Sequence, residues 1–244
     1  MGAKIAIFGA GGFIGTNLAH HLLENGEFTC TLFDVDERKL RLRFGNRSYR
    51  YCRCDISKEE EIEAAVAQML EKLGKIDILI NNAGASWWGL PEDIPLSGWR
   101  KVIDVNLTGT FLACRHTARH MLANGGGVII NIASVGAFLS YRPEAGQVVP
   151  YTTSKAAIVH LTSDLAAQWA GRGIRVNAIA PGSVETGMTE TLTEEIQQNL
   201  RNGILLQRFG KPVEMAGALA LLASDAGSFI TGQTILVDGG QSIA

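Results

Sequence analysis

A chain of 244 residues, 46% hydrophobic and 19% charged, has the composition of a globular protein with one large core. A formal net charge of −2 gives no bulk attraction to nucleic acid or to an anionic membrane, and no apolar run reaches the length of a membrane span. No metal is expected: Cys30, Cys52, Cys54 and Cys114 contain no Cys-x-x-Cys, and His116 and His120, though spaced like zinc ligands on a helix, lack a motif Glu and a third ligand.

The first β-rich run, Lys4–Phe8, follows the start so closely that no signal peptide is expected, and the protein reads as cytoplasmic. It leads into Phe8-Gly-Ala-Gly-Gly-Phe-Ile-Gly15 and a helix expected from near Thr16. Gly9, Gly12 and Gly15 each suit a steric purpose there: a tight turn, backbone approach to a pyrophosphate, and close helix packing. The helix N-terminus offers free N–H groups to phosphates. The second run, Phe28–Phe33, ends at Asp34, where a carboxylate would accept hydrogen bonds from ribose hydroxyls and repel a 2′-phosphate. The cofactor expected is therefore NAD. Arg38 and Lys39 lie close behind, and either could swing toward a 2′-phosphate.

Further runs follow at Tyr49–Arg53, Ile76–Ile80, Val128–Ile132, Ile174–Ile179 and Thr234–Val237. Several are apolar on both faces, as strands covered by helices on each side should be. Between the third and fourth, Ile62, Ala65, Val66, Met69, Leu70 and Leu73 keep helical spacing over three turns. The alternation predicts an α/β fold with about seven parallel strands flanked by helices on both faces, a Rossmann fold in one domain spanning residues 1–244.

Tyr151 and Lys155, downstream of Ser134, sit four apart in a helix-like segment and so share one face. A free phenol has a pKa of about 10, and a neighbouring positive charge lowers it toward a usable acid or base. Ser134 could aim a hydroxyl at the same substrate oxygen. The null for such a pair alone is a chance helix pattern.

The ordered set of pieces resembles the short-chain dehydrogenase/reductase family over essentially the whole chain. The pieces are the glycine turn, Asp34, Cys54-Asp55-Ile56, Asn81-Asn-Ala-Gly84, Asn106, Ser134, Tyr151-x-x-x-Lys155, Pro181-Gly182 with Thr186, and Val237-Asp-Gly-Gly240. Length and ending look like the classical branch. The glycine spacing looks like the extended branch: Phe8 stands where Thr is usual, and Phe13 fills the usual middle-glycine slot.

The resemblance implies that Asp55 and Ile56 flank an adenine, and that Asn82, Ala83 and Gly84 support the sheet and a cofactor ribose. It places Gly9, Gly12, Phe13 and Ile14 at the cofactor. Tyr151 would exchange a proton with the substrate oxygen. Lys155 would hold the nicotinamide ribose and lower the tyrosine's pKa. Ser134 would polarise the reacting C–O group. Asn106 would kink its helix and help hold a relay water near Lys155. Pro181, Gly182, Val184 and Thr186 would embrace the nicotinamide.

The interval between Ser134 and Tyr151 is longer than usual for the family, and the added residues lie within 137–149. Pocket candidates are Trp87, Trp88, Ser134, Tyr141, Arg142, Glu144, Gln147, Tyr151 and Glu185, and the Arg142-Pro143 pair resembles relatives acting on sugars and polyols. Arg142 alternatively grips an acidic substrate, or pairs with Glu144 at the surface. Residues 185–209, with an amphipathic piece from Glu194 to Leu206, read as a lid. The family resemblance implies a homotetramer, with long apolar stretches around Trp99–Met121 and the catalytic helix as candidate interface.

These readings converge on an NAD-dependent oxidoreductase for a small polar secondary alcohol: a sugar, polyol or hydroxy acid. Two alternatives stay open. One is an NADPH-dependent reductase of a ketone such as a 3-oxoacyl thioester. The other is a non-catalytic dinucleotide sensor, which typically would have lost the Tyr or the Lys.

Overall fold

In the computed structural model, all seven apolar runs become strands of one parallel sheet. It describes residues 2–24, 28–45, 50–141, 147–185 and 193–244. The strands are β1 (Ala3–Phe8), β2 (Phe28–Asp34), β3 (Arg50–Arg53), β4 (Ile78–Asn81), β5 (Gly127–Ile132), β6 (Ile174–Pro181) and β7 (Thr234–Val237). Their spatial order is β3-β2-β1-β4-β5-β6-β7. The order reverses between β1 and β4, and ligand crevices in such sheets open at the carboxyl ends beside that switch point.

The strands are apolar throughout because both faces are covered. Along β1, Ile5 and Ile7 join one buried cluster while Ala6 and Phe8 join the other. Helices α1 (Phe13–Glu24), α2 (Glu37–Phe44) and α8 (Ala216–Ala223) pack Leu18, Leu40 and Leu219 against the first face. On the second, α3 (Glu59–Leu73), α5 (Gly109–Ala123) and α6 (Val149–Trp169) contribute Ile62, Leu112 and Leu165. Helix α1 begins at Phe13, earlier than the expected Thr16. The Thr16 N–H already donates to the Gly12 carbonyl at 2.8 Å, so the glycine turn itself opens the helix.

The Trp99–Met121 stretch divides. Helix α4 (Leu96–Ile103) runs into a π-helical turn at Asp104–Thr108, and α5 continues from it. Asn106 sits in that turn, with its side chain buried. Helix α7 (Glu194–Asn202) is shorter than the amphipathic piece read from the sequence.

A buried polar brace ties sheet to helix. Asn81 Nδ2 donates to Asn131 Oδ1 at 2.9 Å, and Asn131 Nδ2 donates to Thr162 Oγ1 on α6 at 3.0 Å. Asn131 and Thr162 are wholly inaccessible. Thr162→Val keeps the shape of the side chain and strands the Asn131 amide without an acceptor. Urea unfolding should report a loss of about 1–3 kcal/mol in stability; an unchanged midpoint would show that the brace contributes nothing.

Candidate functional site

A cleft of about 540 Å³ opens at the carboxyl ends of β1, β2 and β4. A second, of about 430 Å³, adjoins it, and Asn82, Gly84 and Ala85 line both. Gly9, Gly12, Asp34, Asp55, Ile56 and Ala83 line the first; Phe13, Ile14, Pro181, Gly182 and Val184 line the second, together with Ser134, Tyr151 and Lys155. The structure thus brings together every described residue that the sequence assigned to cofactor or chemistry except Asn106, whereas the described pocket candidates Trp87, Trp88, Tyr141, Gln147 and Glu185 line neither cleft. Thr186, Arg142 and Glu144 lie outside the described residues.

Backbone crowding shapes the first cleft. Gly9 has φ +77°, and a Cβ there would collide with the backbone of Ala83. A Cβ on Gly15 would overlap Gly9 O and stand 2.6 Å from Asn82 Nδ2. Asn82 Nδ2 in turn donates to Gly9 O at 2.7 Å, fastening the turn after β1 to the end of β4. Asp34 is fixed by main chain: Oδ2 accepts from Gly11 N and Oδ1 from Asp36 N, both at 3.0 Å. Arg38 pairs with Asp36 at the surface, whereas Lys39 lines the cleft beside Asp34. Burial pushes the Asp55 carboxyl upward, but hydrogen bonds from the Ser57 side chain and amide outweigh it and hold the carboxyl low.

The second cleft holds the polar groups of the Tyr-x-x-x-Lys helix. Lys155 Nζ donates to the carbonyl of Ile132, at the end of β5, at 2.6 Å. It lies 5.7 Å from the centre of the Tyr151 ring. Asn106 does not line either cleft, but it supports their floor. Its Oδ1 accepts from Ala85 N at 2.7 Å and its Nδ2 donates to Ala85 O at 3.0 Å. Its amide is therefore committed to protein partners. A methyl placed on Gly84 would lie 3.7 Å from Asn106 Oδ1 and 3.8 Å from Lys155 Nζ, so the two side chains converge behind this glycine.

One expectation needs correcting. The Tyr151 phenol stands above its ordinary value, not below it. Burial raises the phenol above its ordinary value, and a hydrogen bond with Ser134 opposes that rise. The physical reason lies in Lys155 itself: desolvation drops its amine to about 8, which weakens its claim to be a permanent charge.

Two tryptophans adjacent in sequence part ways. The Trp87 ring packs on Gly98, whereas Trp88 is 61% exposed and lines neither cleft. The Tyr141 ring lies 3.7 Å from a methyl placed on Gly136, and its phenol is raised by burial and then by Tyr151. His116, half of the zinc-like pair, is buried against Glu59 at 3.1 Å. The 185–209 segment is closed at its base, where Val184 bridges Gly210 and Glu185 N donates to Gly210 O at 2.8 Å. Sequence reasoning missed Ala85, Lys101 and Val105 in the first cleft. The spacing of Lys101 and Val105, one helical turn apart just before Asn106, was the available signal.

A family model described as enoyl-(acyl carrier protein) reductase matches residues 9–242. The NAD-dependent glycerol dehydrogenase of Listeria innocua is 36% identical over 98% of this chain and 94% of its own length. Glucose 1-dehydrogenase 2 of Bacillus subtilis is 42% identical over 78% of this chain and 73% of its own. A gluconate 5-dehydrogenase from Burkholderia cenocepacia, solved with NADP and tartrate, superposes with a TM-score of 0.91 at 34% identity, covering 100% of this chain and 96% of that one. The chain belongs to the short-chain dehydrogenase/reductase family, a family of nicotinamide-dinucleotide oxidoreductases.

The buried amine gives a pH signature. Lys155 has an ordinary value of 10.5 and is held at about 8 in the folded protein. Between these values the unfolded chain binds the extra proton, so stability rises with pH across the window and is flat below it. The rise should total about 3 kcal/mol. Urea titrations from pH 7 to 10.5 should show it as the difference between wild type and Lys155→Met, since the Cys30, Cys54 and Cys114 thiols, raised to about 12 by burial, act with the opposite sign in both proteins; equal slopes would refute the assignment to Lys155.

Proposed function

We propose that this chain oxidises a small polar secondary alcohol, a sugar, polyol or hydroxy acid, with NAD⁺. The observation that carries the proposal is one continuous crevice with Asp34 fixed at one end and Ser134, Tyr151 and Lys155 at the other. The residues present suit a dinucleotide. Gly9 and Gly15 leave the crossing free of side chains, and the α1 N-terminus faces the crevice where a pyrophosphate would lie. Asp34 would take the adenosine ribose, and Asp55 and Ile56 the adenine. Pro181, Gly182, Val184 and Thr186 would hold the nicotinamide.

NAD⁺, when bound, supplies the hydride acceptor and a positive charge beside Tyr151. Tyr151 would take the hydroxyl proton of the substrate, and Ser134 would hold the substrate oxygen by a hydrogen bond. Burial alone leaves the phenol too weak an acid for this at neutral pH. Its ionisation therefore depends on positive charge gathered around it, and turnover should rise toward alkaline pH. Lys155 would hold the ribose hydroxyls and pass the proton outward. With its side-chain amide committed to Ala85, Asn106 would act on the relay through its main chain in the π-helical turn.

The similarity to glycerol, glucose and gluconate dehydrogenases supports the polyol or sugar reading. Choice of NAD over NADP rests on Asp34; one relative is named for NAD and a structural neighbour was solved with NADP. The enzyme would act as a cytoplasmic homotetramer of a single domain, residues 1–244, on a small-molecule substrate. Arg142 and Trp88 are proposed at the pocket mouth, with Trp88 as an exposed rim residue rather than a wall. A second reading, reduction of a 3-oxoacyl thioester with NADPH, is favoured by similarity to proteins named 3-oxoacyl-(acyl-carrier-protein) reductase. The fixed carboxylate of Asp34 weighs against it.

Tyr151→Phe should cut NAD⁺-dependent oxidation of a panel of sugars, polyols and hydroxy acids by about 10²–10⁴-fold while NADH still binds. Wild-type rates in that variant would end the proposal. Asp34→Ser should raise kcat/KM for NADP⁺ relative to NAD⁺ by about tenfold or more, through removal of a charge facing the 2′-phosphate. An unchanged ratio would move cofactor choice to Lys39.

A further inference from the structure

Ser154 stands one residue before Lys155 and is completely inaccessible. Its hydroxyl makes two hydrogen bonds, both to the proposed machinery. Oγ donates to the Tyr151 carbonyl at 2.7 Å and accepts from Asn106 Nδ2 at 2.9 Å. A hydroxyl carries a single proton. With that proton on the Tyr151 carbonyl, only a lone pair is left to face Asn106. Ser154 therefore demands an N–H from Asn106, not a carbonyl oxygen.

Ala85 makes the same demand from the other side, offering its N–H to Asn106 Oδ1 and its carbonyl to Asn106 Nδ2. A flipped amide would set like against like at all three contacts. Helical back-bonding of a serine explains the Tyr151 contact alone; it does not explain why the hydroxyl also meets a side chain from the π-helical turn. The chain of contacts runs from Ala85, which lines both clefts, through Asn106 and Ser154 to the backbone of Tyr151. Asn106 Oδ1 and Lys155 Nζ both flank Gly84, 3.7 and 3.8 Å from where a methyl on it would sit.

We infer that Ser154 is a positioning residue: together with Ala85, its hydroxyl holds the Asn106 amide in one orientation and ties the crevice floor at Ala85 to the turn of α6 that carries Tyr151 and Lys155. The inference rests on the proposed dehydrogenase reading and deepens it.

Ser154→Ala tests it. The expected result is a fall in kcat of about tenfold, with the Kd for NADH and the KM for the alcohol within about twofold of wild type. The alkaline rise of the rate should also shift. In an Asn106→Ala background the same substitution should cost little further, because the partner it orients is gone. Unchanged kcat and pH profile with only a lower unfolding temperature would overturn the inference, as would full additivity with Asn106→Ala. If Ser154→Ala does not fold, Ser154→Cys, which keeps a weak acceptor, must show the same split between kcat and KM. If the wild type oxidises no alcohol in the panel, the proposed function fails, not this inference. A crystal structure of Ser154→Ala then decides: a turned Asn106 amide upholds it, and Asn106 and Lys155 unmoved overturn it.

Discussion

The amine of Lys155, buried and held 2.6 Å from the Ile132 carbonyl, is the contact on which the arrangement of the site depends. A cation in such a place is costly unless something repays it. Here repayment is partial: one carbonyl at the end of β5, the face of a phenol 5.7 Å away, and a pKa that falls to about 8. For the carbonyl to be there, β5 must end at the height of the second turn of α6. The parallel sheet fixes that height. The brace from Asn81 through Asn131 to Thr162 holds α6 to the same two central strands, and Asn131 is the neighbour of Ile132. The packing and the geometry of the proposed site are thus set by adjacent residues of one strand.

The end of β4 shows the same economy. Side chains of successive residues leave a strand on opposite sides. Asn81 turns into the core, where it meets Asn131 and the Cys114 sulfur; Asn82 turns to the glycine turn and donates to Gly9 O. One residue braces the sheet below the site while the next fastens the crevice wall. Burial lifts the Cys114 thiol to about 12, so it serves as packing and a weak hydrogen-bond partner rather than as a nucleophile.

Much of this was legible in the sequence, and for physical reasons. Strands covered on both faces must be apolar throughout, so the seven runs stood out. Glycine positions where a Cβ would strike backbone, as at Gly9 and Gly15, are recoverable because no other residue fits. What stayed hidden depended on direction and burial. Trp87 and Trp88 are chemically identical neighbours, and only the packing of one on Gly98 tells them apart. Ser154 looks like any helix-surface serine until its environment is known. The Tyr151 phenol was misjudged because adjacency to Lys155 implies attraction, whereas desolvation disfavours the charged form of each group and drives their pKa values apart, the phenol up and the amine down.

The mixed glycine motif finds its explanation in the same crowding. At positions 9 and 15 a Cβ collides with the crossing between the β1 turn and β4, so these two glycines define the turn. At Gly12 a methyl would sit at ordinary distance, 3.4 Å from Gly9 O. Phe13, in the slot where the classical branch has glycine, directs its ring away from the crossing: the side chain is 41% exposed, with the Arg43 guanidinium 4.7 Å from the ring centre. The bulky residue therefore leaves the crossing untouched and changes only the crevice rim. The extended-type glycine spacing therefore leaves the backbone path of the turn after β1 free of side chains. The local difference falls at the second cleft, which Phe13 lines together with Pro181 and Gly182.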